Sequence, residues 1–280
     1  MKDTLRDIFD AVDEFFGGMG SRRITTYSAA CAYYLFMSLV PLIMLLVAAL
    51  QFTPLTRDVV LEAVSDYVPE SLYEIVYFIV TSIYNGGRTA LTISIVLTIW
   101  SASACMKALI RGMDSVYDAV RQEDYIRFSL RACCYMLIFV VILLLSFFVM
   151  VYGGKILDFV ESSMPANHSL DFLFTLAKHL RFLVILALLA LVFSLLYKWM
   201  PARKLRFHRQ LPGAVFSAVA WAAFSFIFSF YVSLSDKFGA YGYIGTIMVA
   251  MIWIFYCFYF LLLGGFINHY IEMKRAEPEK

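Results

Sequence analysis

Long uncharged stretches alternate with short charged ones along the whole chain. A stretch of about 20 apolar residues can cross the hydrocarbon core of a bilayer as a helix. Residues 135–150 (YMLIFVVILLLSFFVM) are apolar on every face, whereas a strand of an outer-membrane barrel would alternate apolar and polar positions. The pattern therefore predicts an all-α polytopic membrane protein with six transmembrane helices, at about 28–52, 89–106, 132–154, 182–197, 212–235 and 243–268.

Two further segments have the periodicity of amphipathic helices. In residues 1–16 and 55–84, apolar side chains recur every three or four positions with acids on the other faces. Pro69 divides the second segment, so we expect two short helices there that lie along the outer face of the membrane or dip partly into it. The predicted organisation is a cytoplasmic amphipathic N-terminal segment (1–27), a six-helix transmembrane domain (28–271) with an outer amphipathic insert (55–84), and a cytoplasmic tail (272–280).

Composition agrees with a membrane protein. Hydrophobic residues make up 62% of the 280 residues and charged residues only 16%, against about 25% in soluble domains. These fractions exclude a water-soluble globular enzyme. The net charge of +2 is too small to indicate nucleic-acid binding, so we expect no nucleic-acid partner.

The distribution of basic residues predicts the orientation. Seventeen of the 23 Lys and Arg residues lie in the N-terminal segment, the second and fourth loops and the C-terminal tail. Because Lys and Arg concentrate on the cytoplasmic side, both termini are predicted to be cytoplasmic. The first 27 residues carry five acids and no continuous apolar core, so we predict no cleavable signal peptide.

No motif for catalysis or metal binding is apparent. The five cysteines lie in or beside apolar spans without CxxC spacing, which favours core packing. The four histidines are scattered over different loops and helix ends, and neither a glycine-rich phosphate loop nor a GxSxG turn occurs. We therefore expect no enzyme activity, catalytic residue, metal or cofactor.

Small polar side chains recur on one face of each of the first two predicted spans. Basic residues follow at the cytoplasmic end of the second span, so the two faces could form a polar lane whose cationic mouth holds an anionic headgroup or solute. The alternative is that the hydroxyls join helices by hydrogen bonds and the basic residues only set the topology. The candidate pathway residues are Tyr34, Ser38, Pro41, Ser94, Thr98, Ser101, Lys107 and Arg111.

Glycines are concentrated between the fifth and sixth predicted spans. They permit positive φ and close backbone contact, so the segment is either a hinge or a plain tight turn. Small residues also line one face of the fifth span, which predicts close helix packing within the bundle or in a homo-oligomer. The candidate hinge residues are Gly239, Gly242 and Gly245.

Four stretches of the chain resemble the signature blocks of the YihY/BrkB family of bacterial inner-membrane proteins, once mislabelled ribonuclease BN. The family commonly has an Asn where this chain has Asp114, and a Glu where it has Phe266. The resemblance implies an inner-membrane location, an envelope-associated role and a suspected transporter, and it adds Asn268 of the fourth block to the candidate site. The stretches are AACAYYLFMSLVPLIML (29–45), LTIWSASACMKALIRGMDSVYD (97–118), YKWMPARKLRFHRQLPGA (197–214) and FSFYVSLSDKFGAYGYIGTIMVAMIWIFYCFYFLLLGGFIN (228–268).

Two functional hypotheses follow. The first is a transporter, or a translocation protein for lipids or envelope precursors, that uses spans one, two and six with membrane lipids and an anionic or amphipathic substrate as partners. None of the predicted spans has an ionisable group in its central turns, so this transporter would lack a buried carboxylate relay. The second is a non-transporting scaffold of an envelope complex. A ribonuclease or other hydrolase is disfavoured.

Overall fold

A computed structural model describes residues 13–50, 56–65, 70–139, 141, 181–234 and 242–276. Within these ranges all regular secondary structure is helical, which confirms the all-α prediction at that level. The bounds are 13–21 for α1, Ile24–Leu50 for α2, Arg57–Ser65 for α3, Glu70–Val116 for α4, 125–139 for α5, Arg181–Trp199 for α6, Leu211–Leu234 for α7 and Gly242–Ala276 for α8, with a 3₁₀ turn at Phe207–Gln210.

Four of these helical stretches are long and apolar enough to cross a membrane, and α6 contains a shorter apolar stretch, Leu186–Trp199. The predicted third span, 132–154, begins in α5 and continues outside the described residues. The number of six spans therefore stays a prediction. The four stretches are Ile24–Leu45, Leu91–Val116, Phe207–Tyr231 and Ile247–Arg275.

Helix α4 contains 47 residues and joins the predicted outer insert to the second span. An unbroken helix of that length would extend about 70 Å, more than twice the hydrocarbon thickness. Gly87 interrupts it with φ 52° and ψ −136°, a conformation essentially confined to glycine. The second of the two predicted short helices is thus continuous with the span except for this break.

The segment before the break packs on the end of α2. Val60 and Leu61 of α3 form a small buried cluster with Val80 of α4, and Val47 of α2 packs against it. Farther along the same pair of helices, the Sγ of Cys105 lies 3.4 Å from the backbone oxygen of Cys31. Helices α2 and α4 are therefore antiparallel neighbours.

Helices α7 and α8 form a second antiparallel pair. Ser217 of α7 donates a hydrogen bond to the backbone oxygen of Phe260 at 2.7 Å. Tyr197 of α6 donates to the oxygen of Leu261 at 2.6 Å, so it joins a third helix to the pair. The backbones cross at Gly213 and Gly264, where a Cβ on either glycine would collide with the opposite backbone.

Charged segments that are distant in sequence meet at one end of these helices, called the polar end below. Glu14 of α1 pairs with Lys274 of α8 at 2.9 Å, and the backbone N–H of Ala202 donates to Asp114 at 2.8 Å. Arg209 pairs with Glu272 at 3.5 Å. The N-terminal segment, second loop, fourth loop and C-terminal helix therefore share one side, in the arrangement that the count of basic residues predicts.

Candidate functional site

A cavity of about 560 Å³ opens at the polar end, where α4 ends and α5 begins. Aromatic rings and charged side chains form its walls, which combines apolar surface with groups that can bind an ion. Its lining residues are Tyr27, Arg111, Asp114, Ser115, Ala119, Arg121, Glu123, Tyr125 and Phe128.

Asp114 forms one wall of the cavity and is largely buried. Its carboxylate accepts two hydrogen bonds from Arg121, at 2.7 and 3.1 Å, and Arg121 also donates to the backbone oxygen of Met200 at 2.7 Å. Burial acts to lower the pKa of Arg121, but the hydrogen bond and negative charge of Asp114 outweigh it and raise that pKa. In this wall the negative charge of Asp114 is therefore already paired with the positive charge of Arg121.

The second acid of the cavity is paired as well. Glu123 lies 2.6 Å from Arg131 and 3.6 Å from Arg121. Neither carboxylate of the lining is therefore an uncompensated negative charge.

Arg111, a predicted pathway residue, lines this cavity, and Lys107, a second one, lies beside it in contact with the lining residue Tyr125. The Nζ of Lys107 is 3.5 Å from the Tyr125 hydroxyl and lowers the pKa of that phenol by hydrogen bonding and by charge. The guanidinium of Arg111 lies 5.4 Å from the ring centroid of Phe128. Neither cation has an ion pair with an acid in the part of the chain that the structure describes. Both positive charges are therefore available to a ligand.

The alternative interpretation of the predicted polar lane is that its hydroxyls join the two helices by hydrogen bonds. The structure shows a different pattern. Ser38, Thr98 and Ser101 donate to oxygens of their own helices, those of Leu35, Ser94 and Thr98, at 2.6, 2.7 and 3.2 Å. The Ser94 hydroxyl is buried and has no hydrogen-bond partner among the described residues. These hydroxyls do not join α2 to α4 by hydrogen bonds.

The two remaining predicted residues of the first span lie inside α2. Tyr34 is partly exposed, and its ring packs against that of Tyr33 with 5.4 Å between centroids. Pro41 lies within the helix, which continues to Leu50. The structure therefore places Tyr34 on the outer surface of this helix and not beside the cationic pair.

Asn268 lies at the polar end, and its side chain is occupied by hydrogen bonds to backbone groups. Its side-chain oxygen accepts the backbone N–H of Gly213 at 2.7 Å, and its amide nitrogen donates to the oxygen of Gln210 at 2.9 Å. The side chain of Gln210 in turn accepts the hydroxyl of Tyr117 at 2.7 Å. Asn268 is buried, and this geometry favours a role in joining α7 and α8.

Two of the three candidate hinge glycines belong to a helix. Gly242 is the first residue of α8 and Gly245 lies in its first turn, where it is buried. Gly239 lies outside the described residues. The hinge itself stays a prediction.

Phe266 stands where the family that the sequence resembles commonly has Glu. Its side chain is almost completely buried. Its ring centroid lies 5.1 Å from that of Phe15 and 6.2 Å from that of Tyr270, and its ring lies close to Gly18. The position that would carry a carboxylate therefore holds α1 against α8 by apolar contact.

One group at the polar end was not anticipated from the sequence. Asp118 follows α4 with φ 50°, pairs with Arg22 and lies 3.6 Å from the Nε2 of buried His269. Ser115 donates to the backbone oxygen of Arg22 at 2.9 Å. Asp118 lies two residues past the end of α4, in the left-handed region that Asp tolerates. An Asp at such a position is the local sequence signal for a turn after the helix.

Comparison with known proteins agrees with this architecture. A protein of Bacillus subtilis (strain 168) named as ribonuclease-like protein YfkH is 31% identical over 255 residues, 90% of this chain and 92% of that protein. A UPF0761 membrane protein of Glaesserella parasuis serovar 5 (strain SH0165) is 32% identical over 98 residues, 35% of either chain. No solved structure matches. The family described as virulence factor BrkB matches residues 15–280, and the chain belongs to this family of membrane proteins.

Proposed function

We propose that this protein is an inner-membrane transporter that binds an anionic amphipathic substrate at the cavity beside Lys107 and Arg111 and translocates it across the membrane. The observation that carries the proposal is that Arg111 lines an open cavity, that Lys107 contacts the lining residue Tyr125, and that neither cation has an acid partner among the described residues. The polar end is then the cytoplasmic end, with both chain termini on that side, as the excess of basic residues supports.

The hydrogen bonds of the predicted lane modify how transport would proceed. Ser38, Thr98 and Ser101 satisfy their donors on their own helices, so no row of free hydroxyls leads inward between α2 and α4. A substrate that starts at Arg111 is more easily carried along the lipid-facing side of α4.

The test is flux of fluorescent lipids and lipid-linked anions in proteoliposomes that contain the full chain. Protein-dependent flux that falls in Lys107→Ala and Arg111→Ala supports transport. The matched control is Arg127→Ala, because Arg127 is exposed and pairs with Asp124, the residue that precedes the same helix. Flux equal to that of protein-free vesicles for every tested substrate would contradict the proposal.

The second candidate is a scaffold of an envelope complex. It is favoured by the same intrahelical hydrogen bonds, because Ser38, Thr98 and Ser101 then need no substrate to satisfy their hydroxyls. Absence of flux, together with co-purification of a defined membrane complex that Lys107→Ala leaves intact, would establish it over the transporter. Reporter tags on the two termini test the shared orientation, and tags found on opposite sides of the membrane would contradict it.

A further inference from the structure

Arg111 at the cavity and Lys107 beside it lie on the same face of α4 as an apolar stripe. Lys107, Ala104, Trp100 and Ile93 precede Arg111 at steps of four, three, four and seven residues, the spacing of one helix face. Trp100 is 68% exposed and Ile93 is 52% exposed, although both lie in a membrane-length helix. The face therefore presents cations at the polar end and bare hydrocarbon beyond it.

The part of the stripe from Lys107 to Trp100 fits within one leaflet, and Ile93 lies farther on, about 21 Å from Lys107 along the helix axis. Trp100 lies seven residues beyond Lys107, about 10 Å along the helix axis, and half of the hydrocarbon core is about 15 Å thick. Helix α5 supplies a second wall beside the cations, because Tyr125 contacts Lys107 and Phe128 contacts Arg111. A molecule that fills this corner needs a charged head and an apolar tail in that order.

The charge of the head follows from the pairing of the acids. Asp114 is bound to Arg121, and Glu123 to Arg131, so Lys107 and Arg111 leave a surplus of two positive charges at the corner. A phosphate monoester carries about −1.5 to −2 at neutral pH, whereas a phosphodiester carries −1 and a zwitterionic head has no net charge. Phosphate oxygens also accept hydrogen bonds from both ammonium and guanidinium groups.

Resting on the proposed function, we propose that the substrate class of this site is a phospholipid with an anionic phosphate head. The head binds Lys107 and Arg111, and one acyl chain lies along Ala104, Trp100 and Ile93. A lipid with a phosphate monoester head binds best, one with an anionic phosphodiester head less well, and zwitterionic lipids least.

The test measures quenching of Trp100 by lipids brominated midway along the acyl chain. A variant with Trp100 as its sole tryptophan, made by Trp199→Phe, Trp221→Phe and Trp253→Phe, is reconstituted in phosphatidylcholine. Brominated phosphatidic acid, phosphatidylglycerol or phosphatidylethanolamine is then added as a minor component. We expect quenching in that order, with phosphatidic acid preferred about tenfold or more over phosphatidylethanolamine.

Substitution of the cations gives the decisive comparison. Lys107→Ala and Arg111→Ala should each reduce the preference for phosphatidic acid about fivefold, while Arg127→Ala should leave it unchanged. Inorganic phosphate added to the buffer at the concentration of the lipid should not relieve quenching. Equal quenching by all headgroups, or a preference that survives in the double variant, would overturn the lipid site. Displacement by inorganic phosphate would also overturn it, in favour of a site for soluble phosphate.

The quenching experiment tests the lipid site and the flux measurement tests transport, so each proposal can be contradicted without the other. Headgroup preference without flux removes the transport proposal and leaves the lipid site, whereas flux without headgroup preference removes the site alone. If the sole-tryptophan variant does not fold, photocrosslinking of lipids in the otherwise unaltered chain gives the same ranking, with Lys107→Ala and Arg111→Ala as the controls.

Discussion

The side-chain oxygen of Asn268 accepts a hydrogen bond from the backbone N–H of Gly213 at 2.7 Å. Gly213 is the third residue of α7, and the first four N–H groups of a helix have no partner within it. Asn268 therefore supplies, from α8, the capping acceptor that the start of α7 lacks. Its nitrogen completes the link by donating to Gln210.

Asn268→Ala should destabilise the protein strongly, because it leaves a buried N–H and a buried carbonyl without partners. Each unpaired buried group costs about 1–3 kcal/mol, so we expect a loss of about 2 kcal/mol or more. The unfolding temperature in detergent is the measurement. Ser101→Ala is the matched control, because the Ser101 hydroxyl bonds only to its own helix. Equal unfolding temperatures for the two variants would show that the cap contributes nothing.

Asp114→Asn tests the wall of the cavity. The amide of Asn can still accept a hydrogen bond from the N–H of Ala202. The substitution removes the negative charge that pairs with Arg121. Hydrogen bonds to charged groups contribute about 1.5–3 kcal/mol, and we expect a decrease in unfolding free energy of that order. Asp124→Asn, at an exposed ion pair, should change little. A variant as stable as the parent would mean that the pair is offset by its desolvation cost.

Phe266→Glu should release α1 from α8. The substitution places a carboxyl group against Phe15, Gly18 and Tyr270, and burial against apolar groups is costly for a carboxylate. We expect faster proteolysis at residues 13–21 while the rest of the chain stays resistant. Phe266→Leu keeps an apolar contact and should retain most protection. Unchanged cleavage in Phe266→Glu would show that α1 is held by other contacts, such as the pair of Glu14 with Lys274.

Gly87→Ala should strain the break in α4. An alanine in this conformation costs about 1–3 kcal/mol, so the segment before Gly87 should leave its place on the end of α2. Disulfide cross-linking between Val47→Cys and Val80→Cys, two positions of one apolar cluster, reports that contact and should become weaker. Gly86→Ala is the adjacent control, because only Gly87 has positive φ among the described glycines. Equal cross-linking in both variants would contradict the role of the break.

The class of fold was predictable because uniform apolarity over 20 residues has few structural solutions in lipid. The shared side of the charged segments was predictable for a similar reason, since basic residues retained in the cytoplasm must come together when the spans alternate. Contacts such as that of Asp114 with Ala202 confirm that grouping.

The roles of individual polar residues were less predictable. A hydroxyl repeat such as Ser94 and Thr98 indicates a helix face, but Ser and Thr can bond to the preceding turn of their own helix as readily as to a neighbour. The partner of Asp114 is equally ambiguous in sequence, because Arg121 reaches it only after the chain leaves α4 and turns. Periodicity gives the direction of a side chain and leaves its bonding partner open.

The pairing of Glu14 with Lys274, and of Phe15 with Phe266, has a consequence for biosynthesis. Glu14 precedes Lys274 by 260 positions, so α1 leaves the ribosome long before its counterpart in α8. Until α8 has been synthesised, the aromatic face of α1 lacks the rings that cover it and must rest on the bilayer or a chaperone. Synthesis of α8 is therefore the step that covers α1 with protein.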